Sequence, residues 1–241
     1  MQFVGSRRDP GTWLFGHWRV AAGLRRAGVG RILLRDGLRL LPEIRRLYSY
    51  VDRGNGASMA AHARLGFEAA PEIRGSATLA ALSRIGPASP PLGARRVRRR
   101  ERPDLFPLYR RAVGPLWMRL FPGIDRRNYL RRGAGLPDGR GPLSGLLPGA
   151  LVRVLALGPD GDAVGLVVQR GGRMIFFLDP GACCPGLLAR AALRMIGMRV
   201  PRDGEVDLRG LSADLAARPG PIAARVLMGM PDAGRLRDAP P

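Results

Sequence analysis

Two glycines, Gly28 and Gly30, follow an apolar segment ending at Val20 and open a stretch of helical apolar periodicity. The first turn of a helix carries up to four N–H groups without intrahelical partners, at the positive end of the helix dipole. Glycine there leaves no Cβ between those donors and an approaching anion. Arg25, Arg26 and Arg31 add charge-assisted donors beside them. The chemistry this spacing offers is the holding of a diphosphate by the backbone from Arg26 through Ala27, Gly28, Val29 and Gly30 to Arg31. The plainer alternative is a glycine-bearing loop at a helix start in an arginine-rich chain. A Walker loop is excluded, because no Lys-Ser/Thr follows the glycines. A dinucleotide fold would need glycine three residues after Gly30, where Leu33 stands.

A second constellation lies in Asn55-Gly56-Ala57-Ser58-Met59-Ala60-Ala61-His62-Ala63-Arg64-Leu65-Gly66-Phe67. Spacings of three and four put Asn55, Ser58 and His62 on one helical face. An amide, a hydroxyl and an imidazole so aligned form a polar stripe directed at a ligand or at water. A general base is less legible. If residues 12–20 form a strand, Leu14, Gly16, Trp18 and Val20 share one face and His17 takes the other, with no carboxylate on either. His17, Asp52 and Glu72 are the candidates left.

The elements that must position these residues follow from pattern. Met1–Gly5 and Thr12–Val20 read as a hairpin around Arg-Arg-Asp-Pro-Gly. A helix is expected from Gly28 to about Leu41, with Ile32, Leu33, Leu34, Leu38 and Leu41 as its apolar stripe and Pro42 as its stop. A strand at Leu47–Val51 and a helix from about Gly56 to Leu65 come next, with Gly66 as a left-handed terminator. After the Pro- and Gly-rich segment 85–94, a basic strand is expected at 95–99 and helices within 103–132. Strands follow near 151–157, 163–169 and 173–178, then a helix at about 185–198, a strand at 205–208 and a helix near 213–227. The fold class is α/β: two domains, each a mixed, mostly antiparallel sheet flanked by helices. Residues 1–89 form the first, 90–94 the linker, 95–235 the second and 236–241 a tail.

The 241 residues are 46% apolar, enough for a packed core. No run of apolar residues approaches the length of a spanning helix, and the N-terminus carries charge where a signal peptide needs an apolar stretch. A cytoplasmic setting without a membrane partner is expected. Two adjacent cysteines, Cys183 and Cys184, and two histidines make no disulfide framework or zinc site, so no metal is expected. The net charge of +21 would ordinarily point to nucleic acid. All 40 basic residues are arginine, however, and asparagine occurs only at 55 and 128, which is the imprint of a GC-rich coding sequence. Nucleic acid therefore stays open as a partner and is not favoured. The basic run Arg95–Arg102 lacks interleaved aromatics and reads as a solvated edge strand.

Val20, Arg25, Gly28 and Gly30 together resemble motif A of the Gcn5-related N-acetyltransferase (GNAT) superfamily. Asn55, Ser58, His62 and Leu65-Gly66-Phe67 resemble its second hallmark, in order and at the family's separation. The resemblance covers residues 12–67. It implies an acyltransferase moving an acetyl group from acetyl-coenzyme A to an unidentified primary amine in a ternary complex. It further implies a strand edge at Trp18 and Val20 for the pantetheine amides, and the Arg25 side chain with the backbone of Arg26–Arg31 for the pyrophosphate. Asn55 and Ser58 would contact the cofactor arm, and His62 would protonate the departing thiolate. Two departures from the family stand out. Only about nineteen residues precede Val20. The second unit repeats the pattern in eroded form, with Cys183, Gly186 and Leu188 for Arg25, Gly28 and Gly30, and Arg218 and Arg225 for Asn55 and His62 when counted back from Gly229. A coenzyme A-binding regulator without catalysis and a basic RNA- or ribosome-associated module are the rival readings.

Overall fold

A computed structural model describes residues 2–5, 9–16, 18–86, 93–121, 123–129, 151–158, 160–170, 173–180, 185–196, 204–218 and 220–239. His17, Cys183 and Cys184 lie outside the described residues. The chain forms two compact units. One comprises Met1–Pro71, Arg119–Phe121 and Arg225–Pro241, the other Glu72–Met118 and Pro122–Ala224. This division falls between Pro71 and Glu72 rather than in the 85–94 segment, and it returns the chain's end to the first unit.

In the first unit β1 (Gln2–Gly5) and β2 (Thr12–Gly16) form the expected antiparallel hairpin, with Gln2 opposite Gly16. Helix α1 (Val29–Leu40) then leads to β3 (Arg46–Asp52), which lies parallel to β2. Leu47, Ser49 and Val51 of β3 face inward in strict alternation. Helix α2 (Gly56–Arg64) follows and gives way to β4 (Glu68–Thr78). Its end is a Schellman closure: Phe67 N–H donates to His62 O at 3.0 Å and Gly66 N–H to Ala63 O at 2.9 Å. Gly66 sits at φ +89°, the left-handed conformation expected of it.

In the second unit a short helix, α3 (Leu79–Ser83), precedes β5 (Gly93–Arg96). Helix α4 (Phe106–Leu120) kinks at Gly114-Pro115. The strands β6 (Leu151–Leu157), β7 (Ala163–Arg170) and β8 (Arg173–Leu178) form an antiparallel meander. Helix α5 (Pro185–Ile196) crosses to β9 (Glu205–Arg209), parallel to β8. The strand order is β4-β9-β8-β7-β6-β5 here, and β1-β2-β3 followed by β10 (Ala223–Met230) in the first unit. The strand pairing within each unit is thus mixed and mostly antiparallel, with one parallel pair bridged by a helix. β5 lies at an edge, as its arginines predict.

The expected helix at 213–227 is corrected. Only Ala213–Ala217 is helical (α6), and Ala223–Met230 is a strand, β10. β10 pairs antiparallel with β3, from Arg225 opposite Asp52 to Met230 opposite Leu47. The pairing has a packing cause. Met228, Met230, Ala233 and Leu236 join Phe15, Leu34, Leu38, Ile44, Leu47, Val51 and Phe67 in one core cluster, so burial overrides the helical propensity of Ala-Ala-Arg-Val-Leu-Met. The last helix, α7 (Gly234–Arg237), continues that contact. With Gly229 in a strand, the equation of Arg218 and Arg225 with Asn55 and His62 falls.

Candidate functional site

The parallel ladder of the first unit opens towards the two glycines. β2 and β3 pair at Thr12–Arg46, Trp13–Leu47 and Leu14–Tyr48, and there the register ends while β3 continues to Asp52. β2 itself stops at Gly16, so Trp18 and Val20 lie beyond it, which shortens the strand expected through Val20. In the second unit the corresponding pair stays closed to the last residue of β9, from Met174–Val206 to Phe177–Arg209. An opened parallel pair exposes main-chain donors and acceptors that would otherwise satisfy each other.

Beyond the opening the chain makes a 3₁₀ turn, Ala22–Leu24, and a strained approach to α1. Arg25 Nε donates to Val20 O at 3.3 Å and closes the loop. Arg26 has φ +69°, the one non-glycine in the left-handed region among the described residues, and Gly28 has φ +77°. Two left-handed residues bracketing Ala27 give the kind of turn that gathers successive N–H groups into an anion-binding concavity. Gly28 caps α1 with no side-chain hydrogen bond. The helix's first internal bond here is Ile32 N–H to Gly28 O at 3.2 Å. The N–H groups of Val29, Gly30 and Arg31 therefore precede the ladder as first-turn donors. Residues 21–28 are exposed, and a Cβ on Gly28 would meet nothing within 4 Å. On Gly30 it would stand 2.8 Å from Trp18 Cζ2, so Gly30 lets the Trp18 ring lie under the helix start.

The start of α5 is built differently. Pro185, Gly186 and Leu188 are buried, and a Cβ on Gly186 would run into the carbonyls of Ile85 and Leu82. Arg190 Nη1 donates to Ser83 O at 2.9 Å and Ile85 O at 3.0 Å, tying that backbone down. Protein carbonyls, not open space, face this helix end. They repel an anion.

The polar stripe on α2 runs from solvent into the core. Asn55 is exposed and caps the helix, its Oδ1 accepting from Ser58 N–H at 2.9 Å. Ser58 is half-buried, and its carbonyl pairs with His62 Nδ1 at 2.8 Å. His62 is only 3% exposed, enclosed by Phe15, Trp18 and Phe67 with ring centroids 5.1–5.8 Å away. A carbonyl can only accept, so Nδ1 carries the proton and neutral Nε2 presents a lone pair. Burial holds the imidazole pKa below its usual 6.5, opposed only in part by the bond to Ser58. A lowered pKa favours the uncharged ring, in which Nε2 carries no proton to donate to a thiolate. Two buried atoms of the cluster, Trp18 Nε1 and His62 Nε2, have no hydrogen-bond partner. Sequence reasoning missed this aromatic enclosure, although Phe15, Trp18 and Phe67 all flank the motifs.

Of the candidate bases, Asp52 ends β3 on the side where the parallel pair opens, and its Oδ1 accepts from Gly54 N–H at 2.9 Å. Glu72 belongs to the other unit, buried and paired with Arg74 at 3.0 Å. Among the described residues no cluster of His, Cys, Asp or Glu could hold a metal, and no helix is long and apolar enough to cross a membrane.

No protein-family model matches the chain, and no curated protein sequence does. Solved structures do. The chain is similar to GCN5-related N-acetyltransferases. One, from Sphaerobacter thermophilus, is 15% identical with a TM-score of 0.47, over 94% of this chain and 74% of that one. Another, from Anabaena variabilis, is 13% identical with a TM-score of 0.34, over 94% of this chain and 57% of its own. A Saccharomyces cerevisiae N-myristoyltransferase with bound myristoyl-CoA is 10% identical with a TM-score of 0.39, over 95% and 61%. The chain spans little more than half the length of the second and about three fifths of the third.

Proposed function

We propose that the chain is an acyltransferase that takes an acetyl group from acetyl-coenzyme A and passes it to a primary amine in a ternary complex. The observation that carries this reading is the parallel ladder ending at Leu14–Tyr48 ahead of a helix start that has no side-chain cap and is open at Gly28. The N–H groups of Arg26–Arg31, with the Arg25 guanidinium, hold the pyrophosphate. The main chain at Trp18 and Val20 pairs with the pantetheine amides and aims the thioester at the acceptor. Asn55 and Ser58 border the cofactor arm. The neutral amine nitrogen attacks the thioester carbonyl, a C–N bond forms, the C–S bond breaks, and the proton that the nitrogen loses passes through solvent to the departing coenzyme A thiolate. Positioning the two reactants and polarising the carbonyl supply the rate. His62 acts as a positioning residue: it fixes Trp18, which floors the cradle beneath Gly30. The described part of the second unit has no equivalent open helix start, and we assign it a structural or acceptor-side role.

The test is thermal denaturation with acetyl-coenzyme A, followed by turnover on a panel of amines. At a hundredfold excess over Kd, binding should stabilise the first unit by about 2.7 kcal/mol. Gly28→Ala should abolish that shift, because its Cβ enters the space the pyrophosphate needs. Absence of any shift for the wild type contradicts the reading. Stabilisation without turnover transfers the chain to the coenzyme A-binding regulators.

A further inference from the structure

Helix α1 is apolar on two faces. At 100° per residue, Leu34 and Leu38 point into the core. Val29, Ile32, Leu33 and Leu40 fall on the opposite side. Ile32 and Leu33 are each 44% exposed and Leu40 is 82% exposed; Leu24, just before the helix, is 53% exposed. Periodicity alone put Ile32 and Leu33 in the core stripe, so their exposure is a finding of the structure. Isolated exposed leucines are ordinary, but a row of them on one helix face marks an interaction surface.

The surrounding charge says what covers it. Arg25, Arg26 and Arg31 are exposed at one end of the row and Arg39 at the other. The only acidic residue of the helix, Asp36, stands on this same face between Ile32, Leu33 and Leu40 with its side chain 52% exposed, and its charge is met by Arg35 Nε at 3.3 Å and Arg39 Nη1 at 3.7 Å. A second copy of this chain, at a net charge of +21, would bring like charge against like. A single helix face is also convex, with its leucines projecting one by one, which suits a fluid apolar layer better than a partner's preformed pocket. Apolar side chains bordered by arginine are the composition of a helix that lies in a membrane interface.

We propose that the outward face of α1 docks on an anionic lipid surface. Ile32, Leu33 and Leu40 enter the headgroup–acyl boundary, and the exposed side chains of Arg26 and Arg39 at its two ends meet lipid phosphates. The expectation of no membrane partner rested on the lack of a spanning segment, and surface docking needs none. The proposal stands on exposure and charge alone and does not depend on the acyltransferase reading.

The experiment is co-sedimentation of the full chain with vesicles of phosphatidylglycerol and phosphatidylcholine, and with phosphatidylcholine alone. Binding is expected to the anionic vesicles only. It should weaken about fivefold for each basic contact screened by salt. The triple variant Ile32→Ser, Leu33→Ser, Leu40→Ser, shown by circular dichroism to keep the wild-type fold, should lose roughly tenfold or more of the partition coefficient. Its affinity for acetyl-coenzyme A should match the wild type. No sedimentation with anionic vesicles overturns the proposal, as does a triple variant that sediments like the wild type. A dimer in light scattering that the triple variant abolishes assigns the face to a second copy. Retention on polyglutamate that needs the leucines, without vesicle binding, assigns it to an acidic protein.

Discussion

Gly28 and Gly30 serve for different reasons, and their variants should fail differently. Gly28 is needed for its left-handed backbone and the open space beyond it. An alanine there costs about 1–2 kcal/mol of conformational strain and intrudes only on the ligand. Gly30 is needed because the Trp18 ring occupies the place of its Cβ. Gly30→Ala should therefore displace Trp18, read as a change in tryptophan fluorescence, at an overpacking cost of about 1–3 kcal/mol. His62 adds a pH dependence of known sign. Its folded pKa lies below its unfolded value, so the unfolded chain binds the proton first as pH falls. Its neutral form costs nothing above the unfolded value of 6.5, and stability is lost as pH drops from there towards the folded pKa. Melting curves at pH 7.5 and pH 5.5 should show a larger acid loss for the wild type than for His62→Phe, which keeps the ring and removes the titration. Equal losses would mean the imidazole is solvated.

At the level of elements, α2 joins capping to recognition through one side chain. Asn55→Ala should destabilise by about 1 kcal/mol through loss of the cap to Ser58 N–H. Asn55→Asp keeps the cap and should hold stability within a few tenths, while its added negative charge raises the acetyl-coenzyme A Kd severalfold. An unchanged Kd confines Asn55 to capping. Much of this region was legible in the sequence because its signals are local: glycines at positive φ, a proline stop after Leu41, and polar residues at helical spacing. What was not legible depends on distant partners. The fate of 223–230 was decided by the edge of β3, which no local pattern announces. The shortening of β2 to Gly16 and the burial of His62 likewise depend on which rings pack around position 62.

Across the whole chain, the most distant contribution to the candidate site's unit comes from the C-terminal segment. Met228 is 3% exposed in the same cluster as Phe15 and Leu34. Met228→Ala should cost about 2–5 kcal/mol and lower the melting temperature of the unit that carries Gly28. Ala233 N–H donates to Arg45 O at 2.8 Å, and Arg39 Nε donates to Arg237 O at 3.2 Å, fixing the segment by backbone as well as by packing. The basic charge is partly spent inside the chain: Arg95 meets Glu101 at 2.8 and 3.0 Å, and that contact helps hold the Glu101 carboxyl down to about 2. This tempers the basic run as a nucleic-acid surface. Retention on RNA, if any, should fall steeply with salt.

The anion cradle is tested most directly by following backbone amide resonances while acetyl-coenzyme A is added. The amides of Arg26–Arg31 should move first and furthest, with those of Gly186–Leu188 at the start of α5 unmoved. Shifts confined to α5, or none in the first turn of α1 at saturating ligand, would contradict a pyrophosphate held there.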